Sequence, residues 1–287
     1  MAEDSKFTKV TVHSSGSALA SPARLILSVF DGVWSSRELI WSLFVRDLRS
    51  QYRQSIMGYV WLFVPPVVTA AVWFFLNNQR IIRVETDIPY PIFVIVGTTI
   101  WASFISFVQR PLIGFLGGKP VFTKIEVPPE AFIFSSMLRA IFEMGLRVLI
   151  LIPVFVAYKF QVPPTAFLFP LVLLLLALVG LAIGTMVIPI GGLYSDVQNG
   201  INSFIGLFMY TVPVVFPIPE SGGYLATIMN HNPLTPVVAL ARDVLTTGSL
   251  EWAGQALITG GVSAIILFLS LLFLRVALPH LIARMGM

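Results

Sequence analysis

The chain contains no cysteine. Disulfides, thiolate metal sites and a cysteine nucleophile are thereby excluded. Charge is scarce as well: only 11% of the 287 residues are Asp, Glu, Lys or Arg, against about 25% in a soluble domain. His13, His231 and His280 lie far apart without ligand spacing, so no metal site is expected. Enzyme signatures are missing too. Residues 117–120 (GGKP) do not satisfy the G-x-x-x-x-G-K-[ST] phosphate loop. Neither a G-x-S-x-G elbow nor an H-E-x-x-H helix occurs. The fourteen carboxylates place no pair in one apolar stretch, as a catalytic dyad would require. No cofactor is expected in this chain. Any uphill transport has to draw on a partner or an ion gradient.

What is present is apolar. The chain is 56% apolar and 13% aromatic, and several runs approach the roughly 20 residues that a helix needs to cross a bilayer. The expected fold is all-α and integral to the membrane. Six transmembrane helices are expected at about residues 58–77, 91–107, 131–158, 166–190, 201–216 and 256–278, with Pro65 and Pro66 bending the first. Residues 1–35 form a polar tail without a signal-peptide core, expected on the cytoplasmic side. Residues 36–57 form an amphipathic helix, and residues 58–287 the membrane domain.

The basic residues set the orientation. With the N-terminus inside, Lys6, Lys9, Arg24, Arg37, Arg46, Arg49, Arg53, Arg110, Lys119, Lys124, Arg275 and Arg284 are cytoplasmic. Arg80, Arg83, Lys159 and Arg242 are outside. This asymmetry fits the positive-inside rule and puts both termini in the cytoplasm. Basic residues gathered beside membrane spans make nucleic acid an unexpected partner. The two halves show no sequence repeat, which weakens an inverted-repeat carrier.

Four segments carry candidate function. At 100° per residue, Trp41, Phe44, Val45, Leu48 and Tyr52 fall in an arc of about 100°, and Arg46, Arg49 and Arg53 in a separate arc of about 60°. Such a helix lies in the membrane interface, its arginines facing water or lipid headgroups. Anchoring the first span and seating a cytoplasmic partner both fit it. Residues 109–132 read as a cytoplasmic loop, in which Lys119, Phe122, Lys124, Ile125 and Glu126 present mixed chemistry that suits docking into a groove; an ordinary turn is the alternative. Residues 236–246, with Thr235 as N-cap and Pro236 at the first helical position, form a half-length helix, re-entrant or in a plain outer loop. Arg139, Glu143 and Arg147 recur every four residues on one face of the third span. That face should turn away from lipid. It is either an internal ion-pair ladder or part of a polar conduit or headgroup contact.

RDLRSQYRQSIMGYVW, IPYPIFVIVGTTIW, KPVFTKIEVPPEA, LYSDVQN and NPLTPVVALARDVL follow one another in order. Together they resemble the permease subunit of bacterial ABC exporters for cell-surface polysaccharides, of the O-antigen and teichoic acid type. The resemblance covers residue 36 to the C-terminus. It implies a homodimer in the bacterial inner membrane, joined to two copies of a cytoplasmic ATP-binding subunit that carries the ATP and Mg. It further implies a gate helix at Arg46, Arg49 and Arg53, a coupling helix around residues 119–130, and two re-entrant outer helices at residues 222–246. A polyprenyl-pyrophosphate-linked polysaccharide would pass between the protomers. Aromatic faces stack on sugars, so Trp61, Trp73, Phe74, Phe204, Phe208 and Tyr210 are the candidate channel lining; packing or an interfacial belt is the alternative. Ser195 stands before Asp196 where the family often has arginine, which departs from a charge-pair role there. Two other readings stay open. One is an ABC permease for teichoic acid, a lipo-oligosaccharide or a drug. The other is a membrane enzyme acting on lipid-linked sugars at Arg139, Glu143 and Arg147, which requires activity without an ATPase partner.

Overall fold

The structure, a computed structural model, describes residues 34–52, 55–82, 84–122, 124, 127–220 and 222–285. Most of the N-terminal tail, together with Arg53, Ile125 and Glu126, lies outside the described residues. Among those described, the fold is all-helical. Its α-helices are α1 (Arg37–Tyr52), α2 (Val64–Asn78), α3 (Tyr90–Phe122), α4 (Pro129–Val148), α5 (Leu151–Ala157), α6 (Phe169–Gly191), α7 (Ser195–Phe208), α8 (Tyr224–His231), α9 (Leu234–Asp243) and α10 (Ala253–Met285). Four helical stretches are long and apolar enough to cross a membrane: Tyr90–Phe122, Pro129–Ala157, Pro164–Gly191 and Ala253–Arg284. The apolar α2 is shorter. This is the architecture of a multi-pass membrane protein.

Proline decides several boundaries. Pro65 and Pro66 do not bend a continuous first helix. They begin α2 within its first turn, behind a separate 3-10 turn at Gly58–Leu62. A proline lacks an N–H, and the first helical turn has no use for one. The third apolar stretch breaks between Val148 and Leu151. Pro153 removes the donor that Leu149 O would receive, and its ring presses on that carbonyl. After α7 and the 3-10 turn Met209–Thr211, Val212 is extended (φ −133°, ψ 147°), as expected before Pro213. The helix expected at 201–216 therefore starts earlier, at Ser195, and stops sooner.

The second expected span is the largest revision. The anticipated loop at 109–132 is mostly helix, because α3 continues through Pro111 and Pro120 to Phe122. Leu112 and Phe115 are fully buried in that continuation, so packing holds it helical. Helix α3 is the axle of the bundle, enclosed by α2, α4, α6, α7 and α9. Its contact with α6 is close enough to exclude side chains. A Cβ on Gly180 would sit 2.4 Å from Phe107 Cβ, and one on Gly184 would sit 2.4 Å from Val108 O. Small residues of this kind let two membrane helices approach backbone to backbone.

Two hydrophobic cores follow one another along α3. One, toward the Tyr90 end, joins the first half of α3 to α6 and α9. The other, toward the Phe122 end, joins its second half to α1, α4 and α10.

Candidate functional site

Arg139, Glu143 and Arg147 share one face of α4, and that face is buried, with Glu143 only 1% exposed. Arg139 Nε donates to Glu143 Oε1 at 3.1 Å, and Arg147 Nη2 lies 3.6 Å from Oε2. The sequence did not reveal a fourth member. Arg110 of α3 donates from Nε to Glu143 Oε2 at 3.3 Å, and its Nη2 donates to Oε1. Ser106, one turn earlier on α3, donates its Oγ to Oε2 at 3.4 Å. The ladder is thus a joint between two helices. Arg110, counted above as a cytoplasmic loop residue, belongs to this joint. One usable signal existed: Arg110 is followed by the apolar run PLIGFL, which favours a helix that continues past the charge.

Three guanidiniums converge on one carboxylate. Glu143 lies within 4.0 Å of each of them. Arg139 Nη2 is buried and has no hydrogen-bond partner. Removing one side of a buried ion pair costs about 3–5 kcal/mol, because the other charge stays behind in low dielectric.

A second buried arginine sits toward the Tyr90 end. Arg242, near the end of α9, is only 5% exposed. Its Nη2 donates to Pro213 O at 2.5 Å and to Val214 O at 2.9 Å. Its guanidinium lies 3.6 Å from the centre of the Phe93 ring, a cation–π contact. Gly97 makes room for this clamp, since a Cβ there would meet Val214 O at 2.1 Å and Arg242 Nη2 at 2.6 Å. Arg242, expected on the outer side, is a tie between α3, α9 and the chain after α7. Beside it lies a polar cavity of about 570 Å³ with Glu85, Asp87, Glu220 and Asp243 in its wall. Burial pushes the Asp243 carboxyl up to about 6, against the opposing pull of Arg242.

The two short helices anticipated at 222–246 form as α8 and α9, but α9 begins differently. Thr235 Oγ1 has no hydrogen-bond partner and caps nothing. Asn232 takes the Leu234 N–H on its Oδ1 at 3.0 Å, and its Nδ2 donates to Thr211 O at 3.1 Å. Asn232 therefore starts α9 and fastens it to the end of α7.

On α1, Arg46 and Arg49 are exposed, and Arg46 pairs with the adjacent Asp47 at 2.8 Å. The buried stripe is Ile40, Leu43 and Phe44, with Phe44 edge-on to Phe142 of α4 at 6.2 Å. Trp41, in the arc expected to face the membrane, is 61% exposed, and the stripe packed on protein is a neighbouring one. The reason is that α1 docks on α4, and protein packing selects the i, i+3, i+4 positions.

Of the candidate coupling residues, Lys119 ends α3 half-buried and Lys124 is exposed in a turn. Phe122 is buried between Phe115 (5.3 Å) and Phe132 (6.0 Å), so it braces the helix end instead of facing a partner. Among the described residues, no separate helix lies between α3 and α4.

The candidate channel aromatics separate into groups. Trp73 of α2 meets Tyr210 at 6.1 Å and Phe216 at 6.2 Å, which joins α2 to the end of α7. Phe204 and Phe208 edge an apolar cleft of about 320 Å³ bounded by Phe104, Val108 and Ile183. Trp61 and Phe74 are exposed. Among the described residues, no group of acids and histidines is arranged to hold a metal ion.

Residues 38–246 match the family described as ABC-2 type transporter. An O-antigen export system permease protein RfbA of Klebsiella pneumoniae is 26% identical over 216 residues, covering 72% of this chain and 80% of that protein. A Myxococcus xanthus protein of the same name is 22% identical over 239 residues, covering 82% and 91%. The polysialic acid transport protein KpsM of Escherichia coli is 20% identical over 211 residues, covering 73% and 82%. The family match runs from α1 through both buried arginine sites to the turn after α9, and the chain belongs to the ABC-2 type transporter family.

Proposed function

We propose that this chain is the membrane subunit of an ATP-driven exporter that moves a lipid-linked cell-surface polysaccharide out of the cytoplasm. The family match and relatives named for O-antigen export and polysialic acid transport support that cargo class. In this reading the polypeptide crosses the inner membrane six times. The passes are α2 with its 3-10 lead-in, α3, α4 with α5, α6, α7 and α10. Both termini are cytoplasmic, and α8 and α9 dip in from the outer side. Two copies form the path, and two separate ATP-binding subunits supply the energy.

The observation that carries the reading is the face left open by α2 and α7. Helix α7 buries none of its residues, and Phe204, Leu207 and Phe208 stand exposed on it. Val68, Val72, Phe74 and Phe75 do the same on α2. Trp73 and Tyr210 join the two helices at one end. A second copy set against this face would enclose an aromatic-lined path, with Trp61 near its entrance. Arg46, Arg49 and Arg53 would meet the anionic carrier at the cytoplasmic side, and Lys119 and Lys124 would meet the ATPase.

The lack of native cysteines makes the test direct. Phe204→Cys and Phe208→Cys, introduced singly, should form disulfide-linked dimers in native membranes, and Phe167→Cys on an exposed residue elsewhere should not. Equal cross-linking at all three positions would remove the paired-face reading. Lys119→Glu combined with Lys124→Glu should leave the chain inserted and dimeric while separating ATP hydrolysis from export. Copurification with a phosphate-loop subunit is the companion measurement.

A further inference from the structure

Helix α7 has two unlike faces. At 100° per residue, the half-buried Val197, Ile201 and Ile205 fall together and turn toward the bundle. Opposite them, Ser195, Asp196, Asn199, Asn202, Ser203 and Gly206 fill an arc of about 120° that holds no hydrocarbon side chain. All six are exposed. Among the described residues, the side chains of Asp196 and Asn199 have no hydrogen-bond partner. A Cβ on Gly206 would meet nothing within 4 Å.

Depth decides what such a face can touch. Val108 O packs against Gly184, which precedes the end of α6 at Gly191 by two turns, or about 10 Å. The next residue of α3, Gln109, donates its Nε2 to Asn202 Oδ1 at 2.8 Å. Asn202 therefore lies about 10 Å inside the end of a membrane-crossing helix, with Ser203 and Gly206 deeper. Amides and hydroxyls set against lipid tails there would lose water and gain no partner. A dry contact with the same stripe of a second copy fails as well. Around a two-fold axis along the membrane normal equal depths meet, so Asp196 would face Asp196. A water-filled passage is the surrounding that suits this face.

We propose that Asn199, Asn202 and Ser203 form a hydrogen-bonding rail along the export passage and select a cargo rich in hydroxyl groups. The rail rests on the export reading and deepens it. Amides and hydroxyls both donate and accept, as sugar hydroxyls do, so a glycan exchanges water for the rail one bond at a time. An apolar solute offers no such exchange. The rail is continuous with the open face that α7 shares with α2. Phe204 and Phe208 edge the apolar cleft at its side, so rings flank the passage while the rail faces across it.

Thiol labelling tests the wet face. Asn199→Cys, Ser203→Cys and Gly206→Cys are made singly, with Leu269→Cys, exposed on the apolar α10, as the control. In native membranes a charged methanethiosulfonate should modify the three rail positions at least about tenfold faster than the control, because the reactive thiolate forms where water reaches. Equal rates at all four positions would refute the rail, whatever the Phe204→Cys cross-link shows. Reactive rail positions in a chain that exports no glycan would overturn the cargo assignment together with the export reading. Cargo contact is read separately, in cells. Asn199→Leu with Ser203→Val should reduce glycan export about tenfold, the scale of one or two lost hydrogen bonds. Dimer cross-linking and copurification of the ATPase should stay at the parent level. Asn199→Gln with Ser203→Thr keeps the hydrogen-bonding groups and should restore export. Parent-like export by the apolar pair, or equal loss in both pairs, would refute selection by the rail.

Discussion

At the Tyr90 end of α3, one arginine is buried against carbonyl oxygens and a phenyl ring. About 20 Å along the same helix, from Gly97 to Arg110, three arginines crowd one carboxylate. Both places bury guanidinium in an apolar bundle, yet they satisfy it by different means. Arg242 meets fixed dipoles: the carbonyls of Pro213 and Val214, with the Phe93 face beneath. Those partners are backbone and ring, and no ion can displace them. The Glu143 joint relies on one buried carboxylate that three cations divide. The first is built to hold a geometry. The second is held by one buried acid shared between two helices.

That contrast can be broken or sharpened by mutation. The largest effect should come from Glu143→Gln, which leaves buried cations without their acid; a loss of about 3–5 kcal/mol is expected. Thermal unfolding of the purified chain measures it, and an unchanged midpoint would mean that the joint carries no net attraction. Arg242→Gln comes next. It strips the donor from two carbonyls, at about 1–3 kcal/mol for each that stays unsatisfied. Thermal unfolding measures this loss as well, and an unchanged midpoint would show that the two carbonyls find other donors.

Gly97→Ala should cost about 1–3 kcal/mol by pressing on Val214 O and the Arg242 fork. Combined with Arg242→Gln, it should cost less than the sum, since the two changes disturb one contact. Strict additivity would separate Gly97 from the clamp. The smallest effect concerns pH. The Asp243 carboxyl is held near 6 in the folded chain, above its unfolded value, so its proton is bound more tightly when folded. Its contribution to stability is present below the unfolded carboxylate range and is lost as pH rises toward and through about 6. Asp243→Asn should flatten that part of the melting profile; a profile unchanged by the substitution would show that Asp243 does not titrate in this window.

Much of the bundle was legible in the sequence. Long apolar runs marked the crossing helices, and the four-residue recurrence of Arg139, Glu143 and Arg147 put them on one buried face. Periodicity, however, reports only the face of a residue's own helix. It could not say that Arg110, 33 positions before Glu143, would complete the joint from α3. Nor could it foresee the burial of Arg242, which depends on a kink after α7 and on the space at Gly97. Phe122 misled for a related reason. Its neighbours Lys119 and Lys124 are polar, but Phe115 and Phe132 enclose it from elements that local composition cannot place. Proline was wrongly read as a bend at Pro65 and Pro66, where it opens a helix.

The axle and the outlier of the bundle also differ in what movement would break. Shifting α3 would disturb both cores at once, whereas α7 buries nothing and hangs between two extended residues, Tyr194 (φ −121°, ψ 115°) and Val212 (φ −133°, ψ 147°). Extended residues at both ends would let such a rod turn as a unit, pivoting on the ties of Thr211 to Asn232 and Tyr210 to Trp73, while every hydrogen bond within it stays closed. Rearranging the wall is therefore cheapest at the helix that carries Phe204 and Phe208. Any change in the width of a passage there would need no helix to melt.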